Sequence, residues 1–239
     1  MAALLLNSFG TAALAPSNPY LHSATQAGSI TFGATQQIDL VTRVANPANR
    51  ACWCQKWLVH RRLRPEAFGG RIHNHVTSAA KYPIHSDVLN SAALQAVFGA
   101  KRNYLLPMAY PAGSPLHPSY PANHAVTAGA GVTVLKALFN ESFVIPNPVM
   151  PADDGLSLVP YTGAALTVGG ELNKLASNIA LGRDAAGVHY RSDGVEGIKL
   201  GEAIAISILR DTATLYNEVF PGFSFTKYDG TPVTISPGY

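Results

Sequence analysis

The fold is decided by the stretch HPSYPANHAVTAGAGVTVLKALF, His117–Phe139, in which a proline-rich loop gives way to an apolar run. Pro121 suits the first position of a helix, where its missing N–H costs nothing. The amides of Ala122, Asn123 and His124 would then be unpaired donors, and free amides at a helix N-terminus attract anions. The stretch predicts a helix from Pro121 to the end of the run, with an anion site at its start.

Further helices and one hairpin are predicted around this stretch. Helical patterns cover residues 36–63 (with a kink or break at Pro47 and an end before Pro65), 86–100 (capped by Ser86 or Asp87), 164–186 (with Gly187 as C′ residue) and 192–216 (capped by Ser192). Residues 222–236 alternate around Asp229-Gly230 and predict a β-hairpin. Residues 1–33, rich in turn-forming residues, predict a surface wrap. The expected fold is a mainly α single domain over residues 1–239, with long loops.

Composition narrows the class of protein. The chain has 239 residues, of which 47% are hydrophobic and only 13% charged, which favours a globular protein with a large core. The net charge is +3 and no Lys/Arg run occurs, so a nucleic-acid partner is not expected. No apolar run reaches the roughly 18 residues of a membrane span, and the uncharged, short apolar start is no clear signal peptide. We expect a soluble protein of unknown compartment.

One predicted helix carries two cysteines and two tryptophans close together. Cys52 and Cys54 lie too close for an ordinary disulfide within a helix, so two buried thiols are expected. Trp53 and Trp57 are four residues apart on one helix face, which is typical of a core position.

Basic side chains stand beside helix ends or turns in three segments. An oxyanion with several terminal oxygens is well served by the point charge of lysine, the forked donors of arginine and free backbone amides. A histidine can then bond the central atom or move a proton. The residues are Lys56 and Arg64, His117 and His124, and Arg183 and His189.

The patterns K-x7-RP, HPSYPxxH and R-x5-H together resemble the three anion-binding segments of vanadium-dependent haloperoxidases, which share the phosphatidic-acid-phosphatase fold. The sequence is most similar to red-algal and cyanobacterial bromoperoxidases, through QKWLVHRRLRPEAFGG, LLPMAYPAGSPLHPSYP and GVHYRSDG, and matches the C-terminal catalytic half of the longer algal enzymes. The resemblance implies a helical bundle of the haloperoxidase/acid-phosphatase type. Because the matched half lacks its N-terminal companion, apolar helices would be exposed, and we expect a homo-oligomer.

The resemblance also implies roles. Vanadate would be the cofactor, with phosphate as an alternative occupant, and the substrates would be halide, hydrogen peroxide and a small organic acceptor. The implied cofactor-binding residues are Lys56, Arg64, Ala122, Asn123, Arg183 and His189, with His189 as the metal ligand, and the implied catalytic residues are His124, His117 and Lys56. His124 would be the acid–base residue.

The segment before His124 departs from the family pattern. Ala122 and Asn123 stand where the family usually has Ser-Gly. A lost hydrogen bond to a charged group is worth roughly 1.5–3 kcal/mol, or about one to two decades of oxyanion affinity. Three hypotheses follow: a vanadate-dependent haloperoxidase for bromide or iodide, a phosphatase with His189 as nucleophile, and a non-catalytic oxyanion-binding protein.

Overall fold

The computed structural model describes residues 1–110 and 113–238. Its α-helices are α1 Ala2–Ser8, α2 Ala34–Cys54, α3 Pro65–Val76, α4 Ser86–Leu89, α5 Ala92–Lys101, α6 Asn123–Leu138, α7 Val168–Ala185 and α8 Arg191–Ala213. A 3₁₀ turn covers Thr11–Ala13, and a π-helical segment, Gln55–His60, continues α2. Two antiparallel hairpins complete the fold, β1 Val149–Pro151 with β2 Leu158–Pro160, and β3 Phe223–Thr226 with β4 Pro232–Ile235. The mainly α prediction is confirmed.

Helix α6 is the centre of the bundle. It packs against α2, α7 and α8, and every residue from Val132 to Leu138 is buried. A helix that is apolar on all sides is stable only when other elements cover it on all sides. The apolar run of the deciding stretch therefore becomes the core, and its polar start lies at one end of the bundle.

Glycines bring α6 and α8 into backbone contact. A Cβ atom added at Gly201 would lie 2.0 Å from the Val126 carbonyl oxygen, and one added at Gly129 would lie 2.4 Å from that of Ile198. No side chain fits between the two helices at these points, so they cross at close range. This crossing holds the start of α6 beside the start of α8.

The segment from α2 to α3 differs from the prediction at both of its prolines, Pro47 and Pro65. Pro47 does not interrupt α2, because it lies on the exposed face, where water can satisfy the carbonyl that loses its partner. The continuous helical segment ends at His60, before Arg61, which has a φ of +43°. Pro65 then begins α3, a helix that the sequence analysis missed, since a proline that ends one helix is also suited to start the next.

The caps of the other helices also differ in part. The predicted 86–100 helix is divided into α4 and α5, and the caps are His85 and Ser91, whose side chains accept from the amides of Asp87 and Leu94. Neither Ser86 nor Asp87 is a cap. Side-chain hydrogen bonds decided these starts, and propensity alone does not reveal them.

Helices α7 and α8 meet at a sharp turn. Gly187, with a φ of +74°, follows the C-cap Ala186, as predicted for a C′ residue. Helix α8 begins at Arg191, so its N-cap is Tyr190 rather than Ser192.

The remaining segments confirm one prediction and correct three. The C-terminal hairpin forms as β3–β4, whereas β1–β2 was not predicted. Residues 1–33 do more than wrap the surface, because Leu6 and Phe32 belong to the core. Cys52 is buried but Cys54 is exposed, and Trp53 and Trp57 are 59% and 47% exposed rather than buried. Among the described residues, no helix has the length and apolar character to cross a membrane.

Candidate oxyanion site

The structure brings the predicted basic residues together at one end of the bundle. They come from the π-helical segment, the start of α3, the loop before α6, the first turn of α6, the last turn of α7 and the turn before α8. They are Lys56, Arg64, His117, His124, Arg183 and His189, in that order. Close approach of the three cations among them, Lys56, Arg64 and Arg183, is unfavourable unless hydrogen bonds or an anion compensate for it.

Lys56 anchors the loop that carries His117. Its side chain is fully buried, and Nζ donates to the carbonyls of Pro118, at 2.6 Å, and Ser119, at 3.1 Å. A lysine ammonium has three donors, so one remains for an anion. Burial lowers the pKa of Lys56 to about 8, and the nearby Arg64 charge acts in the same direction. A bound anion would oppose both effects and raise the pKa of Lys56 again.

Arg64 ties two loops to the start of α3. Nη1 donates to the His117 carbonyl at 3.1 Å, and Nη2 donates to the Val188 carbonyl at 2.8 Å. Nε lies 3.2 Å from Glu66 Oε1 but, among the described residues, has no acceptor in hydrogen-bonding geometry. The guanidinium thus fixes the positions of the His117 and His189 segments.

His189 is held by a buried carboxylate one helical turn later. Its Nδ1 lies 3.0 Å from Asp193 Oδ2, and Asp193 is completely buried. Asp193 also accepts from Arg62 Nη1 at 2.8 Å and from the Tyr190 amide at 3.1 Å. An ionised carboxylate only accepts, so Nδ1 carries the proton and Nε2 is left with a free lone pair. This is the tautomer that a metal ligand requires.

The electrostatics of this pair favour a neutral imidazole and an ionised carboxylate. Burial lowers the pKa of His189, and the charges of Lys56 and Arg64 lower it further, against the opposing effect of Asp193. Burial by itself raises the pKa of Asp193, but the hydrogen bonds from His189 and Tyr190 outweigh it, so the net pKa is lowered.

The two other histidines are more accessible than His189. Partial burial lowers the pKa of His124, and the Arg183 and Lys56 charges add to the effect. Burial also lowers the pKa of His117, whose Nδ1 lies 3.1 Å from the Pro118 carbonyl oxygen. Both imidazoles are therefore held neutral beside the basic cluster, in the form that can accept a proton.

Arg183 reaches the cluster from the end of α7. Nη1 donates to the hydroxyl of Tyr110, while the buried Nε has no hydrogen-bond acceptor within residues 1–110 and 113–238. Tyr110 and Arg62 are site residues that the sequence analysis missed. Arg62 lies within the HRRLRP segment already singled out, but nothing in that spacing indicates that its partner would be Asp193.

Helix α6 begins two residues later than predicted. The helix begins at Asn123, after a cis Tyr120–Pro121 bond, so Pro121 is not its first residue. The Ala122 amide donates to the Asp193 carbonyl at 2.9 Å and is not free. The amides without an intrahelical acceptor are those of Asn123, His124 and Ala125, and no side chain of the described residues caps them.

Ala122 and Asn123, the two residues that depart from the family pattern, lie at this helix start. Ala122 is the N-cap, is fully buried, and has no hydroxyl to offer. Asn123 places its buried Oδ1 where no described residue hydrogen-bonds to it. The residues present otherwise fit a tetrahedral or trigonal-bipyramidal oxyanion, because unpaired N–H donors and positive charges surround one histidine with a free Nε2.

A family model described as the VCPO second helical-bundle domain matches residues 44–218. The chain belongs to this family. The match includes the basic residues and both ends of α6, α7 and α8. The matched range therefore contains every residue of the basic cluster.

Curated and solved relatives agree with the family match. The chain is 39% identical over 242 residues to a vanadium-dependent bromoperoxidase of Ascophyllum nodosum, covering 96% of this chain and 43% of that protein. It is 43% identical over 230 residues to a vanadium-dependent bromoperoxidase of Corallina officinalis, covering 86% of this chain and 38% of that protein. The homohexameric structure of a second vanadate-dependent bromoperoxidase of A. nodosum superimposes with a TM-score of 0.88 at 33% identity, covering 98% of this chain and 45% of that one. The chain thus spans less than half the length of these relatives.

Proposed function

We propose that this protein is a vanadate-dependent haloperoxidase that oxidises bromide or iodide with hydrogen peroxide to hypohalous acid. The observation that carries the proposal is a cluster of three cations around two histidines. The charges of Lys56 and Arg64 act on His189, whose Nδ1 is fixed by Asp193, and the charge of Arg183 acts on Arg64 and His124. Membership of the family and the names of the relatives support it.

The proposed cofactor ligand is His189, through Nε2. Lys56, Arg64 and Arg183 would neutralise the oxygens of vanadate, and the amides at the start of α6, from Asn123 onward, would donate to them. When bound, vanadate supplies a Lewis acid that activates hydrogen peroxide toward attack by halide. The chain's own contribution is to hold this anion, orient His189 and move protons.

His124 is the proposed acid–base residue. Its imidazole is accessible, stands in the first turn of α6, and is kept neutral by burial and by Arg183 and Lys56. A neutral imidazole beside the bound oxyanion can take a proton from hydrogen peroxide and return it to a leaving oxygen. His117 is proposed as a second active-site histidine, held in place because its carbonyl binds Arg64.

Phosphate is proposed as a competing occupant. It has the charge and the terminal oxygens that the same donors bind, and Ala122 removes a donor from either anion. His189 as a phosphorylated nucleophile would require the same free Nε2. Competition between the two anions is therefore expected, whichever chemistry follows.

We also propose a homo-oligomer and a small organic acceptor for the oxidised halide. Exposed apolar side chains at the end of the α2 segment support self-association: Trp53, Trp57, Leu58 and Val59 are all at least 47% exposed. The A. nodosum structure that superimposes on this chain is a homohexamer.

The decisive experiment is bromide- and peroxide-dependent bromination of an indicator substrate while orthovanadate is titrated into metal-free protein. A saturable rise that phosphate suppresses is the expected result. His189→Ala should abolish the rise, whereas His22→Ala, a substitution outside the cluster, should leave it intact. A flat response at high vanadate would contradict the proposal, and a phosphomonoesterase assay on the same samples would then test the phosphatase hypothesis.

A further inference from the structure

Arg183 is held by a different kind of partner from Arg64. Arg64 Nε lies 3.2 Å from the Glu66 carboxylate, so part of the Arg64 charge is compensated within the chain. Arg183 forms no ion pair with any carboxylate of residues 1–110 and 113–238, and its Nη1 donates instead to the uncharged hydroxyl of Tyr110. The positive charge of Arg183 is therefore left for an anion.

Tyr110 is attached to the end of the helix that carries Arg183. The amide of the preceding residue, Ala109, donates to the carbonyl of Ala186, the C-cap of α7, at 3.5 Å. That carbonyl has no acceptor role within the helix, so the loop supplies its partner. The centre of the Tyr110 ring lies 5.8 Å from Arg183 Cζ, and the hydroxyl accepts from the guanidinium. The loop and the last turn of α7 thus set the tyrosine and the arginine relative to each other.

The charge of Arg183 acts on two other residues of the site. It lowers the pKa of His124 and the pKa of Arg64, in each case in addition to the larger effect of burial. Interactions between charges weaken with distance and with intervening solvent, so Arg183 lies close to both groups. Its guanidinium is therefore a member of the cluster, whereas Tyr110 stands behind it.

An uncharged acceptor and a carboxylate would have opposite effects on an anion in this site. Either one can fix the plane of a guanidinium through a hydrogen bond. A carboxylate would also cancel much of the positive charge and would repel the anion, and both effects are strong where solvent screening is reduced. A tyrosine hydroxyl orients the arginine without these costs.

We propose that Tyr110 is a positioning residue of the oxyanion site, whose hydroxyl fixes the Arg183 guanidinium toward the bound oxyanion and leaves its charge uncompensated. Tyr110 acts through Arg183 and is not a ligand of the anion. The inference rests on the proposed function, because Arg183 must bind the oxyanion for Tyr110 to influence it.

The test is isothermal titration of metal-free protein with orthovanadate and, separately, with inorganic phosphate. Tyr110→Phe keeps the ring and removes the acceptor, and it should weaken both anions about five- to tenfold, a modest loss because Tyr110 is 36% exposed. Tyr110→Glu restores an acceptor but adds a negative charge, and it should weaken both anions more than Tyr110→Phe does. An affinity of the Tyr110→Glu variant at or above that of the wild type would overturn the proposal.

A matched control is available outside the cluster. Arg71 Cζ lies 5.5 Å from the centre of the Tyr82 ring, so this pair has a similar arginine–tyrosine arrangement. Tyr82→Phe should leave the affinity for both anions unchanged. Denaturant unfolding should give the same free energy for Tyr110→Phe and for the wild type within about 1 kcal/mol, which excludes misfolding as the cause of weaker binding.

A double-mutant cycle separates positioning of Arg183 from any other role of Tyr110. In an Arg183→Gln background, Tyr110→Phe should change phosphate affinity less than twofold, because the group that it orients is gone. A role independent of Arg183 would instead give the same five- to tenfold loss in both backgrounds. That result, or wild-type affinity in the Tyr110→Phe variant, overturns the proposal.

Failure of this inference is distinguishable from failure of the proposed function. If the anions bind as described but bromide is not oxidised, the haloperoxidase function fails and the role of Tyr110 stands. If the wild type binds neither anion, the proposed site fails, and the Arg183–Tyr110 contact is judged by ¹⁵N relaxation of Arg183 Nε in the anion-free protein. Tyr110→Phe should then make the guanidinium more mobile, and equal mobility would overturn the inference as well.

Discussion

At the scale of single residues, the site depends on how His189 is oriented. Its Nδ1 binds Asp193, and Asp193 in turn binds Arg62, whose guanidinium lies 4.3 Å from the centre of the Tyr190 ring. Asp193 is fully buried and its charge must be compensated. Arg62 is therefore linked to His189 through Asp193.

Arg62→Gln should weaken vanadate and phosphate binding about five- to tenfold. The magnitude is below that of a fully buried ion pair, because the Arg62 side chain is 39% exposed and solvent screens part of its charge. Isothermal titration of metal-free protein with each anion measures the effect. Arg71→Gln, which alters an exposed arginine of α3, is the matched control, and equal affinities for the two variants would show that Arg62 has no such role.

A second prediction at this scale concerns proton transfer by His124. Its pKa is lowered by burial, Arg183 and Lys56, so its neutral form persists below the ordinary value of about 6.5. If bromide oxidation requires neutral His124, the acid limb of the kcat/KM profile should fall below pH 6.5. His124→Gln should remove that limb together with most of the activity, whereas an unchanged limb would assign it to another group.

At the scale of elements, the site is made by two helix starts that meet. The α6–α8 crossing brings the Ala122 amide onto the Asp193 carbonyl, and this contact sets the start of α6 beside His189. The crossing depends on glycine positions that admit no Cβ atom. The close packing of α6 on α8 therefore also determines the geometry of the site.

Gly201→Ala should be strongly destabilising, by about 3 kcal/mol or more, because its Cβ would lie 2.0 Å from the Val126 carbonyl oxygen and α6 would have to move. Gly182→Ala is the matched control, since nothing lies within 4 Å of a Cβ there and the helix should gain about 0.5 kcal/mol. Denaturant unfolding of both variants measures the difference. Similar unfolding free energies would mean that the crossing tolerates separation.

Ala122→Ser should improve the start of α6 in two ways. A serine at an N-cap accepts from an unpaired amide of the first turn and stabilises a helix by about 1 kcal/mol relative to alanine. Its hydroxyl proton would then be available to an anion oxygen, which should raise vanadate affinity by about one to two decades. Denaturant unfolding and vanadate titration measure the two effects separately; a gain in stability without a gain in affinity would indicate that the hydroxyl faces away from the anion.

At the scale of the whole molecule, the basic cluster links stability to pH. Burial lowers the pKa values of His117, His124 and His189 in the folded state, so the unfolded chain binds protons at a higher pH than the folded chain does. The unfolding free energy of the metal-free protein should therefore decrease as the pH falls through about 6.5. Urea unfolding between pH 8 and 5 measures it, and constant stability over that range would contradict the assigned environments.

The sequence by itself determined the fold class and the membership of the basic cluster. The continuous apolar run of α6 requires a surrounding bundle, and Lys56, Arg64, Arg183 and His189 were identified from their residue types and spacing. Only the tertiary structure decided how these groups are coupled. The Arg62–Asp193–His189 chain joins α8 to a residue 131 positions away, and the shifted start of α6 follows from a hydrogen bond across the helix crossing. Local propensity describes neighbours along the chain, whereas hydrogen bonds and close packing between distant segments depend on the folded arrangement as a whole.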